Sequence, residues 1–266
     1  MACNGVKASV EDAVILENRA LADGYYIMRV KSPEIAKVAV AGQFSMLQPK
    51  NTIRILRRPI SIHSVDKVNG EMEYYYEVLG AGTKEFATLN AGDTINIQGP
   101  LGKGFDVAVE NKKVVAVGGG LGIAPLKELL VKLQDKNEVV NIAGGRNAKH
   151  LSILSSFPST IKTLTSTDDG SMGHKGTVVD ILREYLKENK VDIIYTCGPH
   201  VMMVAVARVA KEFGVRCQVS LEERMACGIG ACLVCAVKVR KNGEEIMQHV
   251  CKNGPVFNAE EVVFNG

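Results

Sequence analysis

The chain has 266 residues, 46% hydrophobic and 23% charged, with a formal net charge of +3 at pH 7, which suits two compact globular domains and a small appendage. The weak charge, with no dense basic cluster interleaved with aromatics, argues against nucleic acid as a partner. The longest uncharged apolar run, "VVAVGGGLGIAPL", is too short and glycine-rich to span a bilayer, and "MACNGVKASV" lacks the basic start and apolar core of a signal peptide, so no membrane contact and a cytoplasmic location are expected.

From residue 6 to about 105 the chain reads as short strands between turns. "GYYIMRVKS", "GQFSMLQP", "EMEYYYEVLG" and "DTINIQGP" are rich in β-branched and aromatic residues and bounded by Gly, Pro, Asn or Asp. Such regular spacing predicts a small antiparallel barrel over residues 1–106, with one helical candidate near "TKEFATLN". "RRPISIHS" ends a barrel strand. An arginine beside a proline-stiffened turn and a hydroxyl can hold a pyrophosphate and a flavin edge, or it is a salt-bridged surface arginine. Some twenty residues later, Gly80, Gly82 and Thr83 open a helix whose N–H groups favour a phosphate, or form a glycine turn with a capping threonine. His63 either touches the same ring or packs.

Residues 107–216 change pattern to alternating strands and helices, predicting a doubly wound parallel sheet. "KKVVAVGGG" is an apolar strand running into Gly118, Gly119, Gly120 and Gly122. Pro125 falls in the first turn of the next helix, where its missing N–H costs nothing. That helix sets Ile123, Leu126, Leu129, Leu130 and Leu133 on one face. The strands "EVVNIAGG" and "IKTLTSTDDG" and the helix "TVVDILREYLKENK" follow. Asp168 and Asp169 form an Asx-type turn or hydrogen-bond a cofactor ribose or amide. "DIIYTCGP" then gives a second strand-to-helix turn, Cys197, Gly198 and Pro199, before the helix "HVMMVAVARVAKEFG". Two such turns at strand carboxyl ends make a nucleotide crevice.

Residues 217–266 are too short for an independent core. Of the seven cysteines, Cys227, Cys232, Cys235 and Cys251 form the spacing C-x4-C-x2-C-x15-C here, whereas Cys3, Cys197 and Cys217 are scattered. This is the plant-type [2Fe–2S] spacing; a four-cysteine zinc site more often shows two C-x2-C pairs. Gly228, Gly230 and Ala231 allow the loop to wrap closely and aim backbone N–H groups at the sulfurs. The whole is therefore expected to be a mixed β and α/β fold: an N-terminal antiparallel β-barrel, a doubly wound nucleotide domain and a small [2Fe–2S] cluster-binding extension.

In this order, "RRPIS", "GPLGKGF", "VGGGLGIAPL" and "CGP" resemble the ferredoxin–NADP reductase superfamily. The tail "SLEERMACGIGACLVC" with "HVCKNGPVF" closely resembles the electron-transfer subunit of class B dihydroorotate dehydrogenase, and the resemblance covers essentially the whole chain. It implies FAD in the barrel, a [2Fe–2S] cluster on the extension and NAD(H) as co-substrate. It also implies an FMN-containing catalytic partner, two of each subunit in a heterotetramer, that oxidises dihydroorotate to orotate in pyrimidine biosynthesis. Carried onto this chain, Arg58, Pro59, Ile60 and Ser61 would contact the flavin, as would Tyr76, Glu77 and Val78. Gly82 and Thr83 would reach its phosphates, and the four cysteines of the tail would bind the cluster. One departure is Val234, where a smaller residue, often Gly, is expected.

The chemistry agrees. A nicotinamide passes two electrons as hydride, a cluster passes one, and a flavin does both, so a chain with all three sites splits electron pairs. No acid–base residue for a carbon substrate is visible, which fits a subunit whose partner holds the substrate. The related small subunits of NADH-linked ferredoxin:NADP oxidoreductases or sulfide dehydrogenases are the alternative; in those an acidic residue can replace one cluster ligand. The stretch from Cys227 to Gly266 is too short for a separate plant-type ferredoxin domain, and a zinc-stapled scaffold is the reading from outside redox chemistry. Arg146, just after a strand, would attract a 2′-phosphate, whereas the resemblance implies NAD(H).

Overall fold

The computed structural model describes residues 2–3, 6–50 and 55–264, with residues 2–3 and 6–7 described by backbone alone. The start of "MACNGVKASV" and the side chain of Cys3 therefore lie outside the described residues. β1 (Ala2–Cys3) and β2 (Val6–Lys7) form a small antiparallel pair. Then come β3 (Ser9–Ala22), β4 (Tyr25–Lys31), α1 (Pro33–Val38), β5 (Phe44–Gln48), β6 (Arg58–Asp66), β7 (Glu71–Glu77), α2 (Ala81–Phe86) and β8 (Thr94–Leu101). The six strands from β3 to β8 close an antiparallel barrel in the order β3-β4-β7-β6-β5-β8.

Strand periodicity explains the three consecutive tyrosines of β7. Met72, Tyr74 and Tyr76 point into the barrel with Ile15, Met28, Leu47, Ile62 and Ile97. Inside, the Tyr74 hydroxyl donates to Ser45 Oγ at 2.9 Å and the Tyr76 hydroxyl to Asn18 Oδ1 at 3.0 Å, so neither buried phenol is left unpaired. Tyr75 points the other way, yet it is also buried, because the second domain covers that wall.

β9 (Lys113–Gly119), a 3-10 turn over Gly120–Ile123, α3 (Leu126–Leu133), β10 (Glu138–Gly145), a 3-10 stretch over Ala148–Ser156, β11 (Lys162–Thr167), β12 (His174–Lys175), α4 (Val178–Glu188), β13 (Ile193–Cys197), α5 (His200–Glu212) and β14 (Arg216–Ser220) follow. The sheet order β12-β11-β10-β9-β13-β14 is parallel throughout. On one face α3 buries Leu126, Leu129, Leu130 and Leu133 against Val114, Ala116, Ile193 and Tyr195. On the other, Leu182 and Leu186 of α4 and Met203, Val206 and Val209 of α5 cover Val115, Val117, Ile142 and Ile194. Helices on both faces explain why these strands are apolar on both sides.

The tail adds β15 (Ala236–Lys241), β16 (Glu244–His249), α6 (Val250–Asn253) and β17 (Val256–Asn258). β15 and β16 form a hairpin, and β17 adds an antiparallel edge to β14. The division at residues 216/217 thus falls inside β14: the extension does not begin until that strand has crossed the sheet, because its apolar Val219 is needed in the core. Two elements go beyond the sequence expectations. β3, the longest strand, and α1 were not anticipated, so the barrel region holds two short helices rather than one.

Barrel and nucleotide domain are tied by buried polar contacts. The His63 ring sits between Ala124 O and Ser156 Oγ, at 2.8 Å from each, and Glu128 of α3 accepts from the Val65 N–H at 3.0 Å. His63 is therefore a packing tie held away from both clefts; burial, with Lys127 nearby, lowers its pKa to about 3.

Candidate functional site

Two clefts open at the carboxyl ends of the central parallel strands. The larger, of about 870 Å3, is lined by Gly119, Gly120 and Gly122 after β9, Arg146 after β10, Asp168 after β11, Thr177 before α4, and Gly198 and Pro199 after β13. The smaller, of about 310 Å3, is lined on the barrel side by Phe44, Arg58, Pro59, Ile60, Ser61, Tyr75, Tyr76, Glu77 and Thr83, and on the other by Cys197, Leu221, Glu222, Glu223 and Met225.

The two glycine turns meet face to face. A Cβ on Gly122 would lie 2.4 Å from Cys197 O and 2.5 Å from Gly198 Cα, and one on Gly119 would lie 2.5 Å from Met202 Sδ. Gly198 has φ +154 and its amide neighbour across the gap is Gly119. Only chains without side chains can approach so closely, and the approach leaves a backbone-walled slot of the kind a dinucleotide enters. Gly118 and Pro125 do not line the slot: Gly118 is packed under Ile123 and Leu126, and Pro125 caps α3. Their role is to shape the turn. Asp168 lines the cleft, whereas Asp169 accepts from Ser171 in a local turn.

In the smaller cleft a similar cradle surrounds Arg58. A Cβ on Gly82 would lie 2.4 Å from its Nε, so the glycine makes room for the guanidinium, which donates to Leu56 O. The Thr83 hydroxyl accepts from the N–H groups of Leu79 and Gly80, at 2.9 and 3.2 Å, and so completes a capping box on α2 while lining the cleft. Val78 follows β7 outside the lining set. Cys197 is fully buried, and burial first, then the nearby Glu222 carboxylate, raises its thiol pKa well above the usual range, so it stays a neutral wall residue.

Four residues line both clefts: Glu77, Leu79, Leu121 and Glu222. Glu77 accepts from the Tyr25 hydroxyl at 3.0 Å; burial and this bond push the Tyr25 phenol up to about 12. Glu222 makes no hydrogen bond or ion pair with another described residue. Solvent reaches it at the cleft mouth, but the surrounding walls desolvate the carboxyl enough to raise its pKa.

Glu222 opens the segment that leads to the cysteines. Met225 lines the smaller cleft, and two residues later Cys227 begins a loop packed on the barrel wall, where a Cβ on Gly228 would lie 2.8 Å from Met46 Cγ. Gly228 and Gly230 have φ of +71 and +78, and that curl turns amides towards sulfur. Ile229, Ala231 and Cys232 N–H groups reach Cys227 Sγ at 3.5, 3.3 and 3.4 Å, and Gly230 N–H reaches Cys251 Sγ at 3.1 Å. Burial raises the Cys227 pKa, but these amides outweigh it and bring the thiol down to about 6. Burial and the neighbouring Cys235 push Cys251 up to about 12. The Cys251 N–H also reaches Cys235 Sγ at 3.5 Å, so backbone amides face three of the four sulfurs. Four thiols in a loop whose amides face sulfur suit the thiolate ligation and outer hydrogen bonding of a [2Fe–2S] cluster. Val234 is exposed, so its larger side chain points to solvent rather than into the loop's packing.

The architecture and the order of its sites have counterparts. Residues 222–263 match the iron–sulfur cluster binding domain of dihydroorotate dehydrogenase B, and residues 116–208 match an oxidoreductase NAD-binding domain. Over 260 residues the chain is 38% identical to the dihydroorotate dehydrogenase B (NAD(+)) electron transfer subunit of Desulforamulus reducens, covering 97% of this chain and 99% of the relative. The subunit of the same name from Caldanaerobacter subterraneus is 40% identical over 252 residues, 95% and 98% of the two chains. The chain belongs to this electron-transfer subunit family. The family is one of oxidoreductases, and its name implies a partner subunit. Among solved structures, the NADH-dependent reduced ferredoxin-NADP oxidoreductase matches with a TM-score of 0.85 at 31% identity, over 96% of this chain and 90% of that one. A Neisseria gonorrhoeae ferredoxin NADP+ reductase with bound FAD and NADP shares the fold at a TM-score of 0.64 and 20% identity, over 78% and 93%.

Sequence reasoning named the glycine-turn and barrel-motif residues but missed more than half of the lining, among them Tyr25, Phe44, Leu121, Leu221, Glu222 and Met225. For Glu222 a signal was present, as it stands in the run "SLEERM" leading into the first cysteine. Among the described residues, no helix is long and apolar enough to cross a membrane.

Proposed function

We propose that this chain is the electron-transfer subunit of a class B dihydroorotate dehydrogenase. It would take electrons from an FMN-containing catalytic subunit through a [2Fe–2S] cluster and FAD to NAD+, in the cytoplasm, within a heterotetramer serving pyrimidine biosynthesis. The observation that carries this reading is the sequence of three sites: a nucleotide cleft, a second cleft that shares Glu77, Leu79, Leu121 and Glu222 with it, and a cysteine loop two residues beyond Met225 of that second cleft.

FAD supplies the switch between hydride and single electrons when bound. The residues around its cleft do the positioning. Arg58, seated over Gly82, offers a fixed cation to the pyrophosphate, and Pro59, Ile60, Ser61 and Tyr76 form the barrel-side wall. The face-to-face glycine turns leave the nucleotide backbone-lined room, with Asp168 and Arg146 at the strand tips. The cysteine loop presents four thiols, with amides already aimed at those of Cys227, Cys235 and Cys251, which lowers the cost of holding a negatively charged cluster. We take residues 1–106, 107–216 and 217–266 as the flavin, nucleotide and cluster segments.

The solved-structure match at a TM-score of 0.85 favours a second reading, the small subunit of an NADH-linked ferredoxin:NADP oxidoreductase. Anaerobic co-purification with the FMN-subunit candidate of the same genome decides between them. Dihydroorotate-dependent reduction of NAD+ that needs both subunits supports the first reading. A complex that forms no orotate, with FAD and [2Fe–2S] spectra intact, supports the second.

A further inference from the structure

We infer that Glu222 is the residue that makes the nucleotide cleft prefer the oxidised, cationic nicotinamide ring over the reduced, neutral one. This rests on the reading of the larger cleft as the nicotinamide nucleotide site. Direct hydride transfer needs the donor and acceptor atoms about 3–3.5 Å apart. The nicotinamide end of the ligand must therefore lie where the two clefts join, with the adenosine end towards Arg146 and Asp168 at the strand tips.

The join is acidic. Of the four residues shared by the clefts, two are carboxylic and none is basic; Arg58 lines only the smaller cleft and Arg146 only the larger. Glu77 is engaged by the Tyr25 hydroxyl at 3.0 Å, and it belongs to the barrel strand β7. Glu222 is the uncommitted one. It follows β14, lies near the neutral Cys197 thiol, and has no hydrogen bond or ion pair with a described residue. A carboxylate in a partly desolvated cleft is costly unless a positive group joins it. Ring oxidation supplies one positive charge at this point and ring reduction removes it, so Glu222 binds NAD+ in preference to NADH. The same preference lowers the potential of the bound nicotinamide couple, so it favours capture of NAD+ and release of NADH rather than the hydride step itself.

Three probes separate the possibilities, titrated anaerobically on the holoprotein: NAD+, with a cationic ring; 1,4,5,6-tetrahydro-NAD, with a neutral ring and no hydride to give; and ADP-ribose, with no ring. Glu222→Gln is expected to weaken NAD+ about 10-fold relative to tetrahydro-NAD, about 1.4 kcal/mol, and to leave ADP-ribose unchanged. Glu222→Asp, which keeps the charge, restores the NAD+ preference to within about twofold. A role in packing alone would shift all three probes together, and that result overturns the inference. So does an unmoved NAD+ to tetrahydro-NAD ratio in Glu222→Gln with ADP-ribose still bound, which leaves the nucleotide site standing. If the wild-type protein binds neither ADP-ribose nor NAD+, the nucleotide reading of the cleft falls as well.

Discussion

Replacing Gly122 by alanine tests the slot between the two glycine turns. The added methyl carbon would stand 2.4 Å from Cys197 O and 2.5 Å from both Cys197 C and Gly198 Cα. These are backbone atoms on a buried strand end and on the turn after it, so no flexible side chain can swing away, and the turns must separate. Forced overpacking of this kind costs about 1–3 kcal/mol. At about 2–4 °C per kcal/mol for a chain of this size, the melting temperature should fall by roughly 2–12 °C. Because the slot is also the proposed dinucleotide contact, NAD+ affinity should fall at least about tenfold. Gly214→Ala provides the comparison. Gly214 lies past the end of α5 with φ +67 and nothing within 4 Å of its Cβ position. It should cost about 1–2 kcal/mol through backbone strain alone and leave NAD+ binding untouched. Calorimetry and NAD+ titration on both variants make the comparison. A Gly122→Ala protein that melts and binds like the wild type would refute the close-approach argument.

Cys235→Ser should abolish the [2Fe–2S] absorbance and its electron paramagnetic resonance signal while flavin content stays near one per chain, as read by FAD fluorescence after denaturation. Arg58→Ala should do the reverse, lowering the FAD retained through purification by more than about half while the cluster signal persists. Leu129→Ala, which empties a fully buried site under α3, should destabilise by about 2–5 kcal/mol in urea unfolding. His63 gives a pH signature. Its pKa when folded, about 3, lies below the ordinary 6.5, so above 6.5 both states are neutral and nothing changes. As pH falls from 6.5 towards 3, the unfolded chain takes up a proton that the folded chain refuses, and stability drops by about 1.4 kcal/mol per unit. The loss between pH 7 and 5 should shrink by about 2 kcal/mol in His63→Gln.

The parallel-sheet half was the most legible part of the sequence, because buried strands and amphipathic helices announce themselves by period. β3 was not. Its sequence "SVEDAVILENRALA" carries alanine, leucine and glutamate, residues common in helices, and two register shifts, between Ile15 and Glu17 and between Ala20 and Ala22, break the alternation a strand would show. α1 escaped because six residues after a serine and starting with a proline hold too little pattern. At the site, motif residues on turns were visible because glycine has few other reasons to recur there. Glu222 was harder to read: "SLEERM" marks only the approach to the cysteines, and that this carboxylate stands where two cleft walls meet follows from the fold alone.

The return of β17 to the sheet has a consequence for the chain's solubility. The β14 edge would otherwise offer a row of unpaired amides and carbonyls to any passing strand, and β17 occupies it through Gln218, Val219 and Ser220. The peptide that closes this edge arrives directly after Cys251 and is pinned by Leu221 N–H to Pro255 O at 2.9 Å. Ligand-bearing loop and edge cover are thus one continuous stretch of backbone. Clipping the chain after Cys235 would strip the protection from the sheet as well as remove a thiol, and such a fragment should self-associate through β14 before any question of redox competence arises.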